Sequence, residues 1–190
     1  LIFTSGINIY FLFAIFLLGS FLLVYLIIYV PKFDYIQGRI FSFFNRETGS
    51  HNFQSDKAID SITSGGFFGK GIGEGTLKNR VPEAHTDYII SVISEEFGVV
   101  AIILILLLFL ILIYMVFKKI RFENDDMIKL ILIGSISLIL MQATIHIGVN
   151  IRLLPTTGMT LPFLSYGGSS IVSTSILAGI ILNLTKRKIN

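Results

Sequence analysis

Ionisable and hydrogen-bonding side chains cluster in residues 81–88, whose sequence is VPEAHTDY, directly before a long apolar run. Polar groups at the end of a membrane-embedded segment must be paired or hydrated, so they are costly there without a use. A carboxylate such as Asp87 can accept a proton from a hydroxyl group and so act as a general base. Asp87 is therefore the first candidate for chemistry. The alternative is that Asp87 or Thr86 only caps the helix that follows.

Glycines recur just upstream, in residues 65–76 (GGFFGKGIGEGT), here called the glycine-rich loop. The loop has some likeness to a phosphate-binding loop, but no buried strand precedes it and the Lys-Ser/Thr pair is missing. Glycine N–H groups can also turn inward and hold an anion, and Lys70, Lys78 and Arg80 are close in sequence. A site for a lipid-linked phosphate and a flexible turn beside solvated charges both remain open.

The composition indicates a membrane protein. Of the 190 residues, 53% are hydrophobic and only 14% are charged, and the mean hydropathy is +0.80, whereas soluble domains have about a quarter of their residues charged. No cysteine is present, so the sequence holds no disulfide and no thiolate metal site. We predict an all-α polytopic fold. The predicted membrane-spanning helices are residues 7–30, 88–117, 130–150 and 165–185.

Charge decides on which side of the membrane the connections lie. They are predicted as a large loop at 31–87, a turn at 118–129, a loop at 151–164 and a tail at 186–190. The Lys and Arg residues of the turn and of the tail place both in the cytoplasm. The 31–87 loop, with seven basic and seven acidic residues, therefore faces outward. Within it, residues 34–44 form an amphipathic surface helix, and residues 54–64 could form a second one.

The outward position of the 31–87 loop restricts the chemistry that Asp87 can perform. Free nucleotides are cytoplasmic, so Asp87 must act on a substrate that arrives already activated, such as a lipid pyrophosphate.

Polar residues also occur inside the predicted helices. Ser91, Ser94 and Glu95 share a helix face with Asp87. They line a wet cavity, or Glu95 pairs with a basic or hydroxyl group on a neighbouring helix. His146 is expected to hydrogen-bond a neighbour rather than to bind a metal.

Two long motifs carry a resemblance to a known family. Residues 82–88 with residues 95–98 (EEFG), and residues 154–170 (LPTTGMTLPFLSYGGSS), closely resemble signatures of the SEDS family (shape, elongation, division and sporulation). The similarity extends over the whole chain, including residues 58–75. SEDS proteins have ten transmembrane helices. The resemblance thus implies that this chain is the C-terminal part of a longer protein, supplying the last four helices and the large extracytoplasmic loop before the eighth.

The resemblance also implies an activity and partners. SEDS proteins are peptidoglycan glycosyltransferases that polymerise lipid II on the outer face of the bacterial cytoplasmic (inner) membrane. They work with a class B penicillin-binding protein, whose transpeptidase crosslinks the glycan. Residues 147–150 and 158–162 look more like the division member than the elongation member, which implies other divisome partners and a septal location. No nucleic acid partner is implied.

The family's essential acidic residue falls on Asp87. The other site residues expected are Lys78 and Arg80, which would hold pyrophosphate, and Glu83, His85 and Thr86, which would shape the substrate site. These residues establish no cofactor. A divalent cation, Mg²⁺ or Mn²⁺, that bridges Asp87 to the pyrophosphate is an alternative, although the sequence offers no full ligand set.

Other functions stay open at this point. In a lipid II flippase or transporter, Glu95, His146 and Arg152 would be translocation residues. A scaffold would only recruit and activate the penicillin-binding protein. The elongation-type paralogue would share the chemistry and control cell shape instead of division.

Overall fold

The structure, a computed structural model, describes residues 8–45, 50–81 and 84–186. These residues form helices and connecting turns with no β-strand among them, so the predicted all-α class is confirmed. The chain divides into two compact units, residues 1–52 and 53–190. The helices are α1 (Ile9–Tyr29), α2 (Asp34–Asn45), α3 (Ser50–Gly65), α4 (Leu77–Arg80), α5 (Ile89–Phe122), α6 (Asp126–Asn150) and α7 (Gly168–Thr185).

Four of these helices, α1, α5, α6 and α7, are long and apolar enough to cross a membrane. The chain is therefore a multi-pass membrane protein, as its composition predicts. The longest, α5, has 34 residues and is kinked at Gly98. Its part after the kink, residues 99–122, extends about 36 Å at 1.5 Å per residue, enough to cross a hydrocarbon core of about 30 Å.

The first unit contains α1 and α2. No side chain of α1 is buried, as suits a helix whose surroundings are apolar. A 3₁₀ turn, Pro31–Phe33, follows α1, because proline cannot continue the hydrogen-bond ladder of a helix. The helix predicted at residues 34–44 is present as α2.

The second unit is organised around α5, α6 and α7, with α3 and α4 near the Tyr88 end of α5. Side chains from all three long helices form one apolar core: Val116, Leu132, Ile136, Ile139 and Ile181. A second core joins α3, α4, the start of α5 and the end of α6: Ala58, Leu77, Val81, Ala84, Tyr88 and Val149. The helix predicted at residues 54–64 lies within α3.

The connection between α5 and α6 is shorter than the predicted turn at 118–129. Only residues 123–125 lie outside the two helices. Lys119 forms an ion pair of 2.8 Å with Glu123, one helical turn further on, and this hydrogen bond lowers the pKa of the Glu123 carboxyl. Asp125 caps α6 by accepting a hydrogen bond from Met127 N at 2.8 Å. Charged residues thus continue both helices here, because Lys and Arg are good helix formers.

The last helix begins later than predicted, at Gly168 rather than at residue 165. Ser165 and Tyr166 are instead part of the connection 151–167, here called the 151–167 loop. Both residues hydrogen-bond to the backbone that precedes α5. A helix starting at residue 165 would compete with these contacts.

Candidate active site

The short segment 84–88 places Asp87 at the entrance of α5. Ala84 and Tyr88 are buried in the apolar core at either end of the segment, whereas Asp87 between them is half-buried. The N-cap position of α5 belongs to Tyr88. Neither Asp87 nor Thr86 occupies the capping position that the sequence left open for them.

Three consecutive backbone carbonyls of this segment accept hydrogen bonds from the region 150–166. Tyr166 N donates to the carbonyl of His85 at 3.2 Å. Ser165 Oγ donates to the carbonyl of Thr86 at 2.8 Å. Asn150 Nδ2 donates to the carbonyl of Asp87 at 3.0 Å. We call this set the carbonyl clamp. It fixes the backbone from which the Asp87 carboxylate extends.

The two side chains of the clamp are themselves held by further hydrogen bonds. Asn150 is fully buried; its Oδ1 accepts from both N and Oγ of Ser91, and its Nδ2 also donates to the His146 carbonyl. Ser165 Oγ accepts from Leu161 N at 2.7 Å. Each of these two side chains both donates and accepts hydrogen bonds. Neither can therefore rotate away without leaving buried polar groups unpaired.

The 151–167 loop brings a glycine against the Asp87 carboxylate. A Cβ atom built on Gly158 would lie 3.6 Å from Asp87 Oδ2, and the φ angle of Gly158 is +70°. Two side chains of α6 hold the following residues: His146 Nδ1 lies 2.7 Å from the Met159 carbonyl, and Gln142 Nε2 donates to the Thr160 carbonyl at 3.0 Å. A carbonyl oxygen only accepts, so Nδ1 of His146 carries the proton.

A second clamp surrounds a kink in α5. Gly98 has φ +75° and ψ −175°, which interrupts the helical ladder. In a regular helix Val99 and Val100 would donate to the carbonyls of Glu95 and Glu96. The glycine-rich loop provides hydrogen-bond partners for all four of these groups, the two N–H groups and the two carbonyls. Val99 N donates to the Gly66 carbonyl and Val100 N to the Phe67 carbonyl, while the Glu95 and Glu96 carbonyls accept from Lys70 N and Gly71 N, over 2.9–3.4 Å. We call this set the kink clamp.

The Glu95 side chain extends the kink clamp towards α4. It is 1% exposed, and its carboxylate accepts from Lys70 Nζ at 2.8 Å, Thr76 Oγ1 at 3.0 Å and Leu77 N at 2.9 Å. Of the two alternatives for Glu95, pairing is correct, although the basic and hydroxyl partners come from a loop and not from a neighbouring helix. Leu77 packs in the same core as Ala84 and Tyr88, so Glu95 also supports the segment that carries Asp87.

These contacts bear on two interpretations left open by the sequence. The N–H groups of Lys70 and Gly71 and the Lys70 ammonium group bond to α5, so they are engaged within the protein rather than turned towards an anion. The three residues suggested for translocation also have structural partners. Glu95 pairs with Lys70, His146 with the Met159 carbonyl, and Arg152 with Asp56 on α3.

The other predicted site residues are only partly brought together. His85 is exposed, and its ring lies edge-on to the Tyr166 ring with the centroids 6.0 Å apart. Thr86 is half-buried beside Asp87, and Arg80 is exposed at the end of α4. Lys78 lies on α4, but its side chain is outside the described part of the structure. Glu83 lies outside the described residues altogether.

The donor set for a divalent cation is incomplete in the part of the chain that the structure describes. Within residues 8–45, 50–81 and 84–186, no group of three or more His, Cys, Asp or Glu side chains could hold a metal. Hard cations such as Mg²⁺ take six oxygen ligands, commonly including one or two carboxylates. One carboxylate together with pyrophosphate and water oxygens would meet this requirement without a third protein ligand, so a cation that bridges Asp87 to the pyrophosphate stays a prediction.

Sequence reasoning did not single out Asn150, Ser165 or Gly158 as residues that position the candidate base. It placed Asn150 at the end of the third predicted helix and Ser165 at the start of the last one. The available signal was the place of Gly158 and Ser165 in the second motif and, for Asn150, an amide side chain at the end of an apolar helix, whose donors and acceptors must be satisfied when it is buried. Asn150 meets Asp87 across 63 positions and Ser165 meets Thr86 across 79.

Comparisons with known proteins agree with the resemblance of the motifs. A family model for FtsW, RodA and SpoVE, described as cell cycle protein, matches residues 1–190. The chain is 36% identical over 157 residues to a probable peptidoglycan glycosyltransferase FtsW of Caulobacter vibrioides, covering 82% of this chain and 40% of that protein. It is 36% identical over 172 residues to the Bacillus subtilis protein of the same name, covering 87% and 43%.

A solved structure is also similar to this chain in fold. It is described as structural coordination of polymerization and crosslinking by a peptidoglycan synthase complex. One of its chains superimposes with a TM-score of 0.65 at 27% identity, over 89% of this chain and 47% of that one. The chain therefore spans less than half the length of the relatives that it matches.

Proposed function

The chain belongs to the FtsW, RodA and SpoVE family of cell cycle proteins, and from that premise we propose that it is part of a peptidoglycan glycosyltransferase of the division type. The substrate is lipid II, and the product is the glycan strand of septal cell wall. The relatives named FtsW support the division type over the elongation paralogue. The engaged side chains of Glu95, His146 and Arg152 give no support to a flippase.

One observation carries the proposal: the backbone of Asp87 is held by the carbonyl clamp at the end of a membrane-spanning helix. Glycan extension requires the 4-hydroxyl of an acceptor sugar to attack C1 of the donor sugar. The bond from C1 to undecaprenyl pyrophosphate breaks, and the hydroxyl proton must leave. A carboxylate in hydrogen-bond reach of that hydroxyl accepts the proton as general base, which contributes about 10²- to 10⁴-fold to the rate.

Gly158 contributes space to this chemistry. A Cβ atom at position 158 would lie in van der Waals contact with Asp87 Oδ2, at 3.6 Å, so glycine leaves this space beside the carboxylate unfilled. A hydroxyl group can then approach the carboxylate along the 151–167 loop. Because the loop is bonded to α6 at Met159 and Thr160, this space has a fixed position relative to Asp87.

The remaining predicted residues are assigned to substrate binding. Lys78 and Arg80 on α4 hold the pyrophosphate of the donor, and Glu83, His85 and Thr86 shape the site around the reacting sugars. The exposed position of Arg80 suits contact with a phosphate group. Replacing Arg80 by Ala should raise the KM for lipid II more than it lowers kcat, since a binding contact is lost and the base remains.

The cellular setting follows from the same premise. The protein lies in the bacterial cytoplasmic membrane at the division septum, with the Asp87 end of α5 on the outer face. Its partners are a class B penicillin-binding protein and other divisome proteins. The peptidoglycan synthase complex to which the chain is structurally similar supports a partner of this kind.

Asp87→Asn in the intact protein tests the proposal. With lipid II supplied on the outer side, we expect glycan chain formation to fall by at least about 100-fold, because the amide cannot accept the proton. Asp60→Asn is the matched control, since Asp60 is an exposed acid on α3 paired with Lys57 at 3.0 Å; this variant should polymerise normally. Partner binding and lipid II flipping, measured in parallel, should be unchanged in both. Normal polymer from Asp87→Asn would overturn the proposal.

A further inference from the structure

Three large apolar side chains of the glycine-rich loop are nearly fully exposed. Phe67 is 75% exposed, Phe68 86% and Ile72 80%. The loop is otherwise rich in glycine and charge, and it belongs to a segment whose sequence predicts an aqueous environment. Exposed aromatic residues clustered in this way mark a contact surface rather than a solvated loop.

The attachment of the loop to α5 gives its depth in the membrane. Residues 97–117 of α5 contain no charged side chain, and Lys118 is the first basic residue after them. A hydrocarbon core of about 30 Å takes about 20 helical residues. Counting back from Lys118, the opposite boundary of the hydrocarbon falls near Gly98. This is where the kink clamp bonds the loop to Val99 and Val100.

The exposed residues of the loop lie beside exposed apolar residues of α5 at the same level. Phe97, Val99 and Val100 flank the kink and are themselves exposed. Along α5 the exposed apolar surface then continues through Ile103 and Leu104 to Leu110. The loop thus extends the exposed apolar surface of a membrane-spanning helix.

The backbone of the loop meets the requirement for an irregular segment at this depth. Non-helical backbone is tolerated at the hydrocarbon boundary only where its polar groups are paired. The carbonyls of Gly66 and Phe67 and the N–H groups of Lys70 and Gly71 are paired with α5. The Lys70 ammonium group is held by Glu95 and stays partly exposed, as suits the headgroup level.

We propose that the glycine-rich loop is a membrane anchor whose Phe67, Phe68 and Ile72 side chains insert among the acyl chains of the outer leaflet. The occupant of this apolar surface is lipid. The anchor holds the loop, and through Lys70, Glu95 and Leu77 the start of α4, at a fixed height above the hydrocarbon. The inference does not depend on the reaction proposed for Asp87.

Tryptophan reporters test the anchor: residues 1–190 contain no tryptophan, and any tryptophan elsewhere in the intact protein is first replaced by phenylalanine. Phe68→Trp and Ile72→Trp would be made in the intact protein, which is then reconstituted into phosphatidylcholine and phosphatidylglycerol vesicles. Fluorescence quenching by lipids with brominated acyl chains is compared with quenching by aqueous acrylamide. Leu110→Trp, on the exposed surface of α5, serves as the lipid-facing control. Asp60→Trp, at an exposed charged position of α3, serves as the aqueous control.

We expect both loop reporters to be quenched by brominated lipid as strongly as Leu110→Trp and several-fold more strongly than Asp60→Trp. Acrylamide should quench Asp60→Trp and leave the loop reporters nearly unaffected. Quenching of the loop reporters by acrylamide instead would place the loop in water and overturn the proposal. Quenching by neither agent would show that protein covers the surface, which would overturn it equally.

Discussion

The carbonyl clamp and the kink clamp stabilise irregular backbone near the same end of α5 by different means. In the kink clamp, backbone bonds to backbone, and the side chain at position 98 is absent so that the loop can approach. In the carbonyl clamp, two of the three donors are side chains, Asn150 and Ser165. The kink clamp should therefore fail when a side chain is added, and the carbonyl clamp when one is removed.

The largest effect is expected for Gly98→Ala. A Cβ atom at this position would lie 2.2 Å from the Phe67 carbonyl oxygen, and φ +75° with ψ −175° is a conformation that only glycine adopts readily. Strain of about 1–3 kcal/mol adds to the displaced hydrogen bonds, so we expect a loss of about 4 kcal/mol in unfolding free energy. Thermal unfolding in detergent measures it. Gly179→Ala on α7, where an added Cβ atom would meet no described atom within 4 Å beyond the backbone of its own helix, should not destabilise the protein.

Asn150→Ala should have the next largest effect, and it should separate stability from activity. The change leaves the Asp87 carbonyl and both Ser91 donors without their buried partner, which costs about 3 kcal/mol in total. Ser91→Ala is the matched control, because it removes one bond to Asn150 and leaves the bond to Asp87 in place. Both variants should unfold at lower temperature, but only Asn150→Ala should lose glycan polymerisation. Equal polymerisation by both variants would remove Asn150 from the positioning of Asp87.

Lys70→Met should destabilise the protein by about 2 kcal/mol. Breaking a fully buried ion pair costs about 3–5 kcal/mol, and partial exposure of the lysine reduces that cost. The Lys70 side chain is 36% exposed, whereas Glu95 is left buried with an uncompensated charge. Adding Glu95→Gln to Lys70→Met removes that charge and should recover part of the loss. A double variant whose two effects simply add would contradict a role for the ion pair in the kink clamp.

Ser165→Ala should give the smallest effect of the four. It removes the donor to the Thr86 carbonyl and the acceptor for Leu161 N. The other two hydrogen bonds of the carbonyl clamp, from Asn150 and from Tyr166 N, remain. We expect a loss of about 1 kcal/mol and a modest decrease in polymerisation. Ser173→Ala on α7 is the control, since the exposed Ser173 side chain bonds, within the described part of the chain, only to the Ser170 carbonyl of its own helix. If Ser165→Ala lost as much unfolding free energy as Asn150→Ala, Ser165 would contribute as much to the carbonyl clamp as Asn150, which contradicts the expected order.

Sequence patterns predicted the helices because long apolar runs report directly on membrane burial. They failed at helix ends. Lys118, Lys119 and Arg121 were assigned to a turn because they are charged, yet they continue α5. The resemblance of the motifs identified the family correctly, and it pointed to Asp87 as the base, which stays a prediction.

The two clamps could not be predicted in the same way. Their partners are far apart in sequence, and hydrogen bonds between such segments leave no periodic pattern in a single chain. Gly98 offered one clue, because an isolated glycine in an apolar helix often has a packing reason. The identity of the packing segment, however, depends on how the glycine-rich loop folds back over α5. The partners of Glu95 were out of reach for the same reason.

The three-residue connection between α5 and α6 has a consequence for how the protein enters the membrane. Two long helices joined so tightly form a helical hairpin, which can partition into the bilayer as one unit. Ser91 on the first arm and Asn150 on the second already bond to each other in that hairpin. Ser91 and Asn150 thus satisfy each other within the hairpin, whereas Glu95 on the first arm and Gln142 on the second bond to the glycine-rich loop and to the 151–167 loop. The polar groups of Glu95 and Gln142 are therefore paired only once these loops have folded back onto the hairpin.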